Sequence, residues 1–479
     1  MLPDDVLLEI FDFYVDEHRD EADFYKNEIE EWQTLVHVCR RWRSVVFGSS
    51  RRLNLRLVCT SDTPARDTLD VWPSLPLLIQ DRDHRTEDVD DIIAVLERSD
   101  RIVKIDLSYV NGSNLEIILA AMQVSFPELT YLLLRSWFHS SDGNLRTLSV
   151  LPDSFLGGSA PRLEFLILEG IPFPGLPELL LSATHLVDLH LENIPHSGYI
   201  SPEAMVTALS TLTSLESLSL GFESPRSRPD WAHRRLPPTT RSVLPILTYF
   251  RFQGVCEYLE DVVTCISAPR LDDLYITLFN QIVFETPQFI QFISCSPKLE
   301  TFEKAIVVFS KYTARVKLSS QARASGYGTI NMAISCIELD WQVSSMEQVC
   351  TSCLPPLSTL EDLYIYESLH SQPVWKDNIE DTLWLELLRP FPAVKNLYLS
   401  EEFASLITPA LQELTGGSTA EVLPSLQNIF LEELQPLGTV QASIQQFAAT
   451  RQVTSHHIAV ARWDNSMEDM INNGNILIY

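Results

Sequence analysis

A short phrase of apolar residues recurs along most of the chain and constrains its fold more than any other feature. The phrase is an apolar residue, two others, an apolar residue, one other and an apolar residue. Its twelve instances begin at Ile102, Leu129, Leu163, Leu186, Leu215, Leu247, Leu271, Leu299, Ile334, Leu360, Val394 and Leu426. Eleven steps separate the first instance from the last, so the mean period is about 29 residues.

The spacing within the phrase predicts a β-strand with one buried face. Its last two apolar positions are two residues apart, so both side chains point to the same side of an extended chain. Between the strands lie stretches with apolar residues three and four apart, as in helices, for example residues 89–96 and 260–266. A single strand–helix unit cannot bury its own apolar edge, whereas stacked units bury it together. The period is also one that leucine-rich repeats use.

We therefore predict an α/β fold class, an irregular leucine-rich-repeat solenoid that is curved, with mainly parallel strands on the concave side and helices outside. The steps between units are uneven, from 23 residues (163 to 186) to 35 residues (299 to 334), which indicates the irregularity. The alternative is a domain with a doubly wound α/β sheet. The fixed phrase disfavours it, as does the absence of a Gly-rich phosphate loop after a predicted strand.

The charge of the chain disfavours two classes of partner. Among 479 residues, 64 acidic side chains outnumber 35 lysines and arginines, which gives a net charge of −29. Such a surface repels phosphate backbones and anionic membranes, so we expect no binding to nucleic acid or to a membrane. Eight scattered cysteines indicate reduced thiols, and no basic segment leads into an apolar one at the N-terminus. We expect a cytoplasmic or nuclear protein, or one found in both places.

The first 50 residues lack the repeated phrase and have helical periodicity instead. The stripe of an amphipathic helix is formed by Leu2, Val6, Leu7, Ile10 and Phe11. After an acidic stretch at residues 16–31, a second helical run covers residues 32–46. So short a segment cannot bury this many apolar side chains by itself. Some of them must pack on the repeats, on a partner or on both.

The same segment resembles the F-box. That family has a Leu-Pro opening, an Ile-Phe pair about seven residues later and a closing Val-Cys-Arg-x-Trp. Here the opening is Leu2-Pro3, the pair is Ile10-Phe11, and residues 38–43 read Val-Cys-Arg-Arg-Trp-Arg. The closing phrase is the most specific part of the resemblance. One departure is the acidic stretch, which is longer than the family's usual link between the first two helices.

The resemblance extends along essentially the whole chain. Further phrases at residues 52–57, 69–73, 240–245 and 258–261 make the chain similar to an expanded family of F-box proteins with irregular leucine-rich repeats in mushroom-forming fungi. This resemblance implies an F-box domain at residues 1–50 and a substrate-binding repeat domain at 51–479. It also implies that the F-box binds the Skp adaptor and, through it, a cullin–RING ubiquitin ligase, while the repeats hold an unknown protein substrate.

Two alternatives to this function remain open. One is a repeat scaffold that binds a partner protein without a role in ubiquitin transfer. The other is an F-box protein that acts with the adaptor alone, outside a ligase.

Two sets of residues are predicted to bind these partners. The adaptor-binding set is Leu2, Pro3, Val6, Leu7, Ile10, Phe11, Leu35, Val38, Cys39 and Trp42, and Trp42 is expected to be largely buried. The substrate-binding set consists of aromatic residues adjacent to core positions, which alternation places on the solvent-exposed side of the strands: Tyr249, Tyr275, Tyr364, Tyr366, Tyr398 and Phe430. Exposed aromatic residues are typical of protein-binding hot spots.

No motif in the sequence supports catalysis. It contains no Gly-x-Ser-x-Gly, no His-Glu-x-x-His and no phosphate loop, so we expect no enzyme, no cofactor and no metal. Cys350 and Cys353 have a redox-like spacing, but no second pair is nearby and two core thiols are favoured. The pair His456-His457 is interpreted as structural. Residues 222–244, rich in Pro and Arg, are interpreted as a solvated loop rather than as a contact for an acidic partner.

Overall fold

The fold is described from a computed structural model. It describes residues 2–16, 31–60, 69, 72, 74–81, 89–108, 112–136, 150–229, 241–279, 284, 286–320, 328–368, 380–413, 422–432, 438–453 and 458–463. Three predicted features lie outside the described residues. They are most of the acidic stretch (17–30), the middle of the basic segment (230–240) and the pair His456-His457.

Helices and strands alternate through most of the described chain, as the repeated phrase predicts. The α-helices are α1 (Asp4–Asp16), α2 (Glu31–Val38), α3 (Arg40–Gly48), α4 (Asp90–Leu96), α5 (Gly112–Ala121), α6 (Leu176–Leu180), α7 (Pro202–Leu209), α8 (Cys256–Cys265), α9 (Pro287–Ser294), α10 (Leu339–Ser352), α11 (Asp381–Leu388), α12 (Glu401–Glu413) and α13 (Gly438–Val453). Over the described ranges, none of these helices is long and apolar enough to cross a bilayer.

The strands are short, and most of them carry one instance of the phrase. They are β1 (Leu57–Cys59), β2 (Leu77–Asp81), β3 (Ile102–Leu107), β4 (Tyr131–Arg135), β5 (Phe165–Glu169), β6 (Asp188–Ile194), β7 (Ser217–Phe222), β8 (Ser242–Val243), β9 (Tyr249–Gly254), β10 (Ile266–Ser267), β11 (Asp273–Phe279), β12 (Lys304–Phe309), β13 (Thr313–Ser319), β14 (Thr329–Ser335), β15 (Asp362–Glu367), β16 (Asn396–Leu399), β17 (Asn428–Glu432) and β18 (Ala459–Trp463).

The chain forms two compact units, residues 1–200 with 207–215, and residues 201–206 with 216–479. In the first unit, strands β1 to β6 pair in parallel with their sequence neighbours. In the second unit the strand order is β7-β9-β11-β14-β13-β12-β15-β16-β17-β18. The short strands β8 and β10 pair with each other. The domain boundary predicted at residue 50 follows the family resemblance and stays a prediction.

The apolar positions of the phrase form the core. In the second unit they face the helices, because Phe250 contacts Phe292 of α9 and Phe309 contacts Trp384 of α11, each pair with ring centroids 6.1 Å apart. The alternate side chains of these strands point to the opposite side of the sheet, which we call the open face. The predicted α/β architecture of leucine-rich-repeat-like units with mainly parallel strands is confirmed.

One segment of the second unit departs from the strand–helix order. Strands β12, β13 and β14 follow one another as an antiparallel meander, so that β14 pairs in parallel with β11 and β12 pairs in parallel with β15. The phrase predicted at Ile334, Ile337 and Leu339 is therefore wrong. Ile334 lies near the end of β14, Ile337 is exposed, and Leu339 begins helix α10.

The hairpin between β12 and β13 is closed by hydrogen bonds of Ser310. Its backbone N–H donates to the carbonyl oxygen of Thr313 at 2.8 Å, and the backbone N–H of Thr313 donates to the Ser310 Oγ at 3.0 Å. Along β13, buried and half-buried side chains alternate, as a strand with one covered face requires. The hairpin thus inserts an additional strand whose polar residues lie on the open face.

Candidate functional site

Helix α1 has apolar side chains on two of its faces. Leu7 and Phe11 are buried, and the Phe11 ring contacts the Trp42 ring of α3 at 4.8 Å between centroids. The exposed apolar face of α1 consists of Val6 (39% exposed), Ile10 (47%) and Phe13 (69%), and Leu2 (52%) precedes the helix. One face of the helix therefore packs on its own chain, and the other is apolar and open to solvent.

The closing Val-Cys-Arg-x-Trp phrase forms the turn between α2 and α3. Cys39 is the N-cap of α3, and its Sγ accepts a hydrogen bond from the backbone N–H of Trp42 at 3.5 Å. The Nε of Arg43 donates to the carbonyl oxygen of Val36 at 3.0 Å. Trp42 is only partly exposed, in agreement with the prediction that it is largely buried.

The structure divides the predicted adaptor-binding residues by exposure. The exposed residues are Leu2, Pro3, Val6, Ile10, Val38 and Cys39; Leu7, Phe11 and Leu35 are buried, and Trp42 is half-buried. The buried residues can shape the surface but cannot touch a partner. Phe13 was missed by the sequence analysis, although it lies three residues after Ile10 and so on the same helical face.

Trp32 of α2 joins the N-terminal helices to the first repeats. Its indole Nε1 donates to the carbonyl oxygen of Arg56 at 3.0 Å. Its ring packs edge-on against Trp72 and Phe47, with centroid separations of 5.3 and 6.1 Å. Such edge-to-face contacts add to the stabilisation from burying the ring.

A row of aromatic rings crosses three parallel strands on the open face of the second unit. Tyr364, Tyr398 and Phe430 are register partners on β15, β16 and β17. The rings of Tyr364 and Tyr398 stack at 4.0 Å with an interplanar angle of 4°, and those of Tyr398 and Phe430 at 4.5 Å and 8°. The Nζ of Lys304 lies 4.2 Å from the centroid of the Tyr364 ring, a distance at which a cation is attracted to an aromatic face.

Neighbouring side chains cover part of this row. The Trp463 ring lies edge-on to Tyr364 at 5.8 Å and to Tyr398 at 5.6 Å, and Ile306 packs in the same cluster. Tyr364 and Tyr366 are each only 8% exposed, so the prediction that both are solvent-exposed is wrong. Burial, and secondarily the proximity of Tyr398, raises the pKa of the Tyr364 hydroxyl, which therefore stays neutral.

The other predicted substrate-binding residues are half-buried on the same face: Tyr249, Tyr275, Tyr398 and Phe430. The rings of Tyr249 and Tyr275, on neighbouring strands β9 and β11, are 5.3 Å apart. Two contributors were missed by the sequence analysis. Trp463 was missed because it lies beyond the last instance of the phrase. Ile306 was missed because an isoleucine is expected in the core and not on the open face.

Comparisons with known proteins give matches among solved structures alone. No family model matches the chain, and no curated protein matches its sequence. Among solved structures, the chain is similar to the leucine-rich repeat-containing protein LegL7 from Legionella pneumophila. The two are 11% identical, the alignment covers 82% of this chain and 98% of that one, and the TM-score is 0.28. The repeat architecture described above rests on the strand order and core of this chain itself.

The Cys350 and Cys353 thiols are buried, as the interpretation of both as core residues predicts. Burial raises the pKa of Cys350, and it raises the pKa of Cys353 to about 11. The thiolate is the nucleophile and the metal ligand, so two protonated thiols are chemically inert at neutral pH. Within the described ranges, no group of three or more His, Cys, Asp or Glu side chains could hold a metal ion.

Exposed and buried cysteines of this protein should differ in the reactivity of their thiols. In the native protein, iodoacetamide should modify the exposed Cys39 and Cys295 while Cys350 and Cys353 remain unmodified. Mass spectrometry of the digested protein would measure this, with urea-unfolded protein as the control in which all four react. Equal native rates for Cys39 and Cys350 would contradict the buried, protonated assignment.

Proposed function

We propose that the chain is the substrate-recognition subunit of an SCF-type (Skp–cullin–F-box) ubiquitin ligase in the cytoplasm, the nucleus or both. The N-terminal helices bind the Skp adaptor and, through it, the cullin–RING ligase, and the open face of the repeats binds a protein target. The observation that carries the proposal is the exposed face of α1. Ile10 on this face and Leu2 just before the helix belong to the F-box phrase and leave apolar surface in water.

The energetics of this face support a docking role. Full burial of a Val, Leu, Ile or Phe side chain stabilises by about 1.5–3 kcal/mol. Three such side chains on one helix face, together with Leu2 before the helix, are therefore enough for a hydrophobic interface core. The second face of α1 holds the helix against Trp42, so docking would need little rearrangement of the helices.

Charged substitutions on α1 test the proposal. In the full chain co-expressed with the Skp adaptor and the cullin, Val6→Asp combined with Ile10→Asp should abolish co-elution of the adaptor on size-exclusion chromatography. Each new carboxylate would be buried without a partner in the interface. The matched control is Ile117→Asp, because Ile117 is also an exposed isoleucine on a helix, α5. Adaptor binding that survives the double substitution would refute the assignment.

The same experiment separates the two alternatives. If the wild-type chain does not bind the adaptor, the protein is a repeat scaffold without a role in ubiquitin transfer. If it binds the adaptor but the complex does not recruit the cullin, it acts with the adaptor alone. The aromatic residues of the open face are compatible with the scaffold, because a protein-binding surface does not require a ligase.

A further inference from the structure

The open face of the second unit carries a group of basic residues in an otherwise acidic chain. This group, which we call the basic strip, consists of Arg251 on β9, Lys304 on β12, and Arg315 and Lys317 on β13. Because side chains alternate between the two faces of a strand, all four point to the open face. Arg315, for example, lies between Ala314 and Val316, both of which are fully buried on the helix side.

The four cations are close enough to repel one another. Burial lowers the pKa values of Lys304, Arg315 and Lys317, and a neighbouring positive charge lowers each of them further. Lys317 lowers the pKa of Lys304, Arg315 lowers that of Lys317, and Arg251 lowers that of Arg315.

Two carboxylates lie near the strip and partly oppose the lowering of the lysine pKa values. Asp362 raises the pKa of Lys304, and Asp273 raises that of Lys317. In the described part of the chain, however, no salt bridge joins Arg315 or Lys317 to a carboxylate. Arg315 and Lys317 are half-buried cations that repel each other without such a salt bridge, which favours the binding of an anion.

Aromatic residues lie at both ends of the strip. Strands β9 and β11 contribute the Tyr249–Tyr275 pair, and β15 to β17 contribute the row that starts at Tyr364. Arg315 lies on β13, which stands in the strand order between β11, with Tyr275, and β15, with Tyr366. Val308 of β12 is the register partner of both Arg315 and Tyr366. The surface therefore combines positive charge with apolar rings at both ends of the strip.

We propose that the basic strip binds an extended segment of the protein target that carries several carboxylates, with apolar side chains of the segment against the flanking rings. This inference rests on the proposed function, because it assigns the target to the open face. From β9 to β12 the sheet makes four strand steps, about 19 Å, which is the length of about six extended residues. A segment of that length can present carboxylates to all four cations.

Selection from a phage-displayed library of random twelve-residue peptides tests the inference on the full chain in its complex with the adaptor. We expect the wild-type complex to enrich peptides with an excess of Asp and Glu next to an aromatic or aliphatic residue. In the variant Arg315→Gln with Lys317→Gln, recovery of those peptides should fall at least roughly tenfold. The matched control is Lys311→Gln, because Lys311 is an exposed cation in the turn of the same hairpin and outside the strip.

Each other outcome overturns the inference. Enrichment without an acidic excess, or no enrichment, would show that the strip does not select carboxylates. If acidic peptides bind the double variant as well as wild type, the site that binds them lies elsewhere, and residues 222–244 are the next candidate. A thermal melt checks that the double variant is folded. Adaptor co-elution on the same samples reports separately on the proposed function.

Discussion

Replacing Trp384 by Ala should lower the free energy of unfolding by about 3–5 kcal/mol. Trp384 lies on α11 and is completely buried between the Phe309 ring of β12 and the Phe403 ring of α12, at centroid distances of 6.1 and 5.6 Å. The substitution would leave a large cavity between helices and sheet. Close-packed protein interiors collapse only partially around such a cavity. Urea unfolding followed by circular dichroism would measure the loss.

Two further variants make this prediction specific. Trp341→Ala removes a half-exposed tryptophan from α10, and we expect it to cost much less. Trp384→Phe should be milder than Trp384→Ala, because it keeps most of the ring volume and removes an indole N–H that is buried without a hydrogen-bond partner among the described residues. If Trp384→Ala and Trp341→Ala unfold at the same urea concentration, the packing around α11 is not as described.

Replacing Glu260 by Ala should cost about 3 kcal/mol, because its carboxylate joins two consecutive repeats. Glu260 lies on α8 and is buried, and its Oε1 and Oε2 accept hydrogen bonds from the backbone N–H groups of Phe289 at 2.8 Å and Gln288 at 3.1 Å. These groups belong to the first turn of α9, where backbone donors have no partner within their own helix. The truncated variant leaves the buried N–H of Phe289 and the part-buried N–H of Gln288 without this acceptor.

Conservative and neighbouring variants isolate this contribution. Glu260→Gln keeps one acceptor oxygen and should lose less stability than Glu260→Ala. Glu257→Ala changes a less buried carboxylate on the same helix, and we expect a loss of about 0.5 kcal/mol or less. Chemical unfolding of all three variants, compared with wild type, checks the order. A Glu260→Ala protein as stable as Glu257→Ala would show that the carboxylate does not cap α9.

The N-terminal helices show how far local pattern predicts a binding surface. The apolar stripe from Leu2 to Phe11 predicts a helix, and α1 confirms it. The stripe occupies two faces of that helix, however, and periodicity cannot tell which of them the chain itself covers. The packing of α2 and α3 decides it, since Trp42 of α3 rests on Phe11 and leaves Val6 and Ile10 in solvent.

The sequence alone determined the repeated strand–helix unit, the side that packs on the helices in the strands that carry the phrase, and the placement of the aromatic residues on the opposite side. These features depend on alternation and spacing within a few residues, which the chain fixes locally. Strand order within residues 304–335 and the burial of Tyr364 and Tyr366 were decided only by the tertiary structure. The physical reason is that both depend on cross-strand neighbours far away in sequence, as when Trp463 covers Tyr364 from a strand about a hundred residues further along the chain.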